Sequence, residues 1–166
     1  MIPALLLLLA GDPTPEPHPT QHDLWPSLVV DAGVGIVRTR SAAWKPAGSL
    51  GIAAGITRTS SRDGRIRLLL GAHAGFVVAP IANYGNLTGT VGTAVSDYLL
   101  VALRGGPTLT TAGQFGGRLG ARVTLFHLFG PEVFVQHTFG LREVPPTTSV
   151  ILALSVDVPA TLMMGL

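Results

Sequence analysis

The chain has 166 residues, enough for one domain with a sizeable core and too few for two ordinary ones. Charged residues are 12% of it, against about a quarter in an ordinary soluble protein; hydrophobic residues are 47% and mean hydropathy is +0.48, which excludes a disordered chain and a charged coiled coil. The formal charge is only +2 and there is no cysteine, so disulfides, thiol catalysis, thiolate metal sites and a cysteine-linked lipid anchor are excluded.

Residues 1–26 read as an export signal and a linker. Ile2 to Ala10 is an apolar run, far short of the ~20 residues a helix needs to cross a bilayer. It has the length of a signal-peptide hydrophobic region and is closed by the small Ala10 and Gly11, although no Lys or Arg precedes it. Pro13, Pro15, Pro17, Pro19 and Pro26 then mark an extended, unpacked segment. His18 and His22 stand four apart in it, but a Pro-rich stretch is not helical, so no metal site is expected. Asp12, Glu16 and Asp23 are acidic and no base accompanies them; the remainder carries 11 basic against 6 acidic residues, +5.

From Ser27 onward the recurrent pattern is alternation, the mark of a strand with two different faces. In 28–36, Leu28, Val30, Ala32, Val34 and Ile36 oppose Val29, Asp31, Gly33 and Gly35. In 49–57, Leu50, Ile52, Ala54 and Ile56 oppose Ser, Gly, Ala and Thr. In 65–78, Ile66, Leu68, Leu70, Phe76 and Val78 oppose Arg65, Arg67 and His73. Residues 87–95 form a weak Thr/Gly strand and 97–110 a stronger one, unless they are one strand broken near Gly105-Gly106; the count is then eight or seven. Arg104-Gly105-Gly106-Pro107 suggests a bulge or bend. In 118–125, Arg118 and Arg122 oppose Leu119, Val123 and Leu125; in 133–142, Gln136 and Arg142 oppose Val133, Val135 and Phe139; in 150–158, Asp157 opposes Val150, Leu152 and Leu154. Residues 159–166 remain as a tail. Asp63-Gly64, Ser96-Asp97 and Phe129-Gly130-Pro131 supply short turns, alternating with longer connections at 41–46, 80–86, 111–116 and 143–147.

The second face of each strand, made of Gly, Ser, Thr, Ala and a few Arg, Asp and His, is too poor in charge to cover a water-facing wall. It suits a narrow interior, with the apolar face turned to lipid. Trp25, Trp44, Tyr84 and Tyr98 fall at strand ends or in connections, where a membrane barrel keeps its interfacial aromatics. Residues 27–158 thus resemble the small eight-stranded outer-membrane β-barrel proteins of Gram-negative bacteria. The resemblance implies an all-β, closed, antiparallel up-and-down transmembrane barrel, contact with outer-membrane lipid, a structural or loop-mediated role with an extracellular partner, and a monomer. Such proteins commonly end on an aromatic residue, whereas this chain ends Met163-Met164-Gly165-Leu166. The alternative is a soluble periplasmic or secreted barrel with the same apolar face turned inward around a lipid or other apolar ligand.

The inward set is Asp31, Arg65, Arg67, His73, Arg118, Arg122, Gln136, Arg142 and Asp157. Buried charges without partners are costly, so these groups are expected to pair into an ionic plug. Some outer-membrane barrels are lipid A deacylases with a His-x-Ser sequence. His127 and His137 have no Ser two residues on, so with Glu143 they make no nucleophilic constellation and no enzyme is expected. The scattered Arg residues show no nucleic-acid signature, and no cofactor or metal motif occurs.

Overall fold

A computed structural model describes residues 21–40, 42–62, 65–79, 82–126, 128–141 and 144–159. The export segment up to residue 20, the Asp63-Gly64 turn, His127, Arg142, Glu143, the tail from 160 and the side chain of His22 lie outside the described residues. Eight strands are present: β1 (Gln21–Thr39), β2 (Lys45–Arg62), β3 (Arg65–Val78), β4 (Tyr84–Ala94), β5 (Leu99–Thr110), β6 (Phe115–Leu125), β7 (Phe129–Thr138) and β8 (Thr147–Pro159). Each pairs antiparallel with the next, and β8 returns to β1 to close the barrel. Among the described residues the strand count is therefore eight.

Alternation dictates which side each residue takes. Along β6 the even positions are buried and the odd ones exposed save the half-buried Gly117; β7 shows the same alternation without exception. The exposed side is the apolar one: Leu50, Ile56, Leu103, Leu119, Val133 and Leu152 all face outward. The interior instead holds Asp31, His73, Arg104, Arg118, Arg122 and Glu132. An inside-out barrel with an apolar cavity is thereby excluded.

Register fixes the shape. Register partners followed from Leu24 run through Arg58, Leu70, Val91, Leu103, Ala121, Val133 and Leu152 and return to β1 at Val34, ten residues further on. Ten residues of stagger over eight strands tilt the strands by about 40° at ~3.3 Å per residue and ~4.8 Å between strands. A barrel of eight strands is just wide enough for side chains to fill. Three connections of two to four residues lie at one end, with Gln21 and Pro159; four of four to eight residues lie at the other. We call these the turn end and the loop end.

Several strand limits differ from the sequence reading. β1 begins at Gln21, so the last part of the Pro-rich linker is strand; Pro26 is accommodated opposite Ile56 at a position β8 does not reach. Gly130-Pro131 lies inside β7, and the turn falls instead at 126–128, where Phe126 takes φ 52°. No bulge occurs at Arg104–Pro107: Asn86 pairs with Thr108 and Gly89 with Gly105 in one unbroken register. The bulge is in the β2–β3 hairpin, beside Ser60 and Ser61, where Arg67 is left without a register partner. Both Gly-Pro dipeptides skip rungs of the ladder without shifting it, since Pro has no N–H to donate.

Candidate functional site

The interior is organised around three guanidinium groups and three carboxylates. Arg104, on β5, is 2% exposed and reaches across the barrel. Its Nη1 donates to Asp31 Oδ2 of β1 at 3.2 Å and to Glu132 Oε2 of β7 at 3.4 Å, while its Nε donates to Thr88 Oγ1 at 3.3 Å. Arg118 Nη2 donates to the other Glu132 oxygen at 2.7 Å and lies 3.6 Å from Asp31 Oδ2. Its guanidinium also stacks 3.6 Å over the Phe134 ring, an arrangement worth more when desolvated. Ser155 Oγ donates to Asp31 Oδ1 at 2.6 Å and accepts from Arg122 Nη1 at 3.2 Å; Arg122 Nη2 pairs with Asp157 at 3.2 Å. Three positive and three negative groups thus form one connected network drawn from β1, β5, β6, β7 and β8.

A neutral cluster lies beside it. Ser27 Oγ is 2.5 Å from His73 Nε2 and 3.1 Å from Thr57 Oγ1, joining β1, β2 and β3. This resembles a serine–histidine pair in composition only. Among the described residues no carboxylate bonds His73, and Ser27 is buried. Above the charges, toward the loop end, a cavity of about 40 Å³ is lined by Val37, Ser49, Tyr84, Thr110, Gln136 and Thr138. That is room for a few water molecules at ~10–15 Å³ each. Gln114 closes the loop end: its Nε2 donates to Phe139 O at 3.2 Å and Pro145 O at 3.0 Å, tying two loops together.

The expected site residues fall into five groups. Asp31, Arg118, Arg122 and Asp157 meet in the network, and His73 lies in the neighbouring cluster. Arg65 and Arg67 do not enter the interior. They stand at the turn end, where the β2–β3 hairpin runs past its neighbours, and Arg65 pairs with Asp97 at 2.9 Å in the open. Gln136 is buried beside the cavity, and Arg142 lies outside the described residues. Arg104 and Glu132, the most enclosed charges, are absent from the expected inward set, Arg104 having been read as part of a bend; extending the alternation through the nearby Gly-Pro dipeptides places both inside.

Of the four expected interface aromatics, Tyr84 is buried inside the barrel rather than at a surface. It opens β4 on the inward parity of Asn86 and Thr88. Trp25 is half-buried at the turn end. Trp44 is exposed at the loop end with the Arg38 guanidinium 5.1 Å from its ring centre, and Tyr98 is exposed at the turn end edge-on to Phe126. His137 faces outward, bonded to Thr148 at 2.9 Å and edge-on to Phe139, which stacks with Phe115.

No family model matches the sequence, and no curated protein matches it. Among solved structures the chain is similar to a barrel from the de novo design of transmembrane β-barrels, with 16% identity and a TM-score of 0.45, covering 80% of this chain and 95% of that one. It is also similar to Ail, the attachment invasion locus protein of Yersinia pestis, with 8% identity and a TM-score of 0.39, covering 81% of this chain and 99% of that one.

Proposed function

We propose that this protein is an exported, monomeric, integral β-barrel of a Gram-negative outer membrane, its interior closed by the Arg/Asp/Glu network and its role structural or exercised through its loops. The outer wall carries this reading. Large apolar side chains are exposed on every strand, far beyond the few hundred Å² a soluble monomer leaves bare. The 11 residues of β6 rise about 28 Å along the barrel axis at a tilt of ~40°, close to the ~25 Å apolar band of a membrane barrel. Trp44 near the loop end and Tyr98 with Phe126 at the turn end mark the two edges of that band. The filled interior argues against a passive pore, and among the described residues no arrangement of nucleophile, base and orienting group supports catalysis.

The test uses the absence of cysteine. Single-cysteine variants at Leu70 and Leu152 are produced from the full chain in a Gram-negative host, and outer membranes are probed with a water-soluble maleimide. The expected result is no labelling before denaturation, together with a mobility difference between boiled and unboiled samples in SDS. A soluble product that labels freely and shows no shift overturns the membrane reading.

A further inference from the structure

The outer wall is not evenly covered. Gly89 and Gly105 are direct register partners, both facing outward, and Ala72 of β3 pairs with Gly89 on its other side. Bare backbone therefore floors a hollow of about 460 Å³ whose walls are Leu70, Val91, Leu103 and Leu119. Packing does not demand Gly89: a Cβ built there meets nothing closer than 3.9 Å. Two further hollows carry it toward the turn end: one of about 330 Å³ shares Val91 and Leu103 with the first, one of about 200 Å³ shares Leu70 with it, and Leu68 lines both of the two. The last is lined by Arg58 and Ser60.

Arg58 sets the chemistry. Leu24 and Leu70 are its register partners on either side, both exposed leucines, so the guanidinium leaves the wall at the edge of the apolar band. It joins no described residue by a hydrogen bond or ion pair. An Arg on the lipid face costs about 2–4 kcal/mol at the midplane and about 0–1 near the interface, where it finds an anion. The register row from Arg58 through Leu70 and Val91 to Leu103 climbs toward the loop end with the strand tilt. Gly89 and Gly105 lie one outward step higher again, so a furrow rises from a cation into apolar wall.

We propose that this furrow binds one anionic phospholipid of the leaflet at the turn end, its phosphodiester on Arg58 and one acyl chain lying over Gly89 and Gly105. The proposal rests on the membrane reading above. The full chain is inserted into vesicles of phosphatidylcholine with phosphatidylglycerol as the minor component and extracted in mild detergent, and retained lipid is counted by native mass spectrometry. Wild type is expected to keep a single phosphatidylglycerol in preference to phosphatidylcholine. Arg58→Gln should lower that retention about tenfold, while Arg58→Lys largely keeps it. Gly89→Leu fills the furrow and should lose the lipid with Arg58 intact. Every sample is also run boiled and unboiled. With the heat shift intact, equal retention in all variants, or no preference of wild type for the anionic lipid, overturns the furrow. Wild-type dimers that hold no lipid and are abolished by Gly89→Leu overturn it in favour of a second copy. A wild type without a heat shift overturns the membrane reading itself, and the furrow with it.

Discussion

Glu132 is fully enclosed and holds two guanidinium groups at once, one on each oxygen. Removing it leaves Arg104 and Arg118 sharing Asp31 alone. Breaking a buried pair costs about 3–5 kcal/mol, so Glu132→Ala should lower the unfolding free energy of the heat-resistant form, read by urea titration, by an amount of that order. Pairing Glu132→Leu with Arg118→Met removes both charges and should recover much of the loss. The exposed Arg65–Asp97 pair is the contrast: Asp97→Asn should change stability by less than about 1 kcal/mol in the same assay. These residues also show what the sequence conceals. Alternation gives the side of the sheet a residue takes but not its height along the barrel. Arg65 and Arg67 therefore read as interior, although the hairpin carrying them runs past the rim. Arg104 and Glu132 were hidden for a different reason: each lies beside a Gly-Pro dipeptide, and such dipeptides read as breaks in a strand.

At the scale of the strand, those dipeptides answer to close backbone approach, not to turning. A Cβ on Gly106 would fall 1.9 Å from Leu87 O, and one on Gly130 would fall 1.8 Å from Val123 O. Neither obstacle is a side chain that can swing away. Gly130→Ala should therefore abolish the heat-resistant band, or lower its melting temperature sharply. Gly113→Ala, at a loop position with φ +80° where a Cβ would meet only the Leu141 side chain at 3.7 Å, should cost only about 1 kcal/mol. The closed eight-stranded antiparallel architecture was legible because alternation survives in every strand. The strand ends were not, because Pro26, Gly130 and Pro131 are tolerated wherever a neighbouring strand asks no hydrogen bond of them.

For the whole molecule, a buried, charge-balanced network reaching across the barrel predicts a closed path. Planar bilayers holding the wild-type protein should show no conductance steps, whereas Arg104→Ala combined with Glu132→Ala should produce small ones if that network is the barrier. The same network bears on how the barrel is assembled. Arg104 and Asp31 are 73 residues apart in the chain, and Ser155 and Asp31 are 124 apart. No single hairpin contains a complete set of partners for Asp31, which receives its bonds from β5, β6 and β8. A hairpin entering the bilayer by itself would carry a naked carboxylate or guanidinium into hydrocarbon. On the membrane reading proposed above, the network favours a concerted route, in which the sheet curls at the surface and the β1–β8 seam shuts as the wall goes in. On that reading, insertion should behave as one cooperative event.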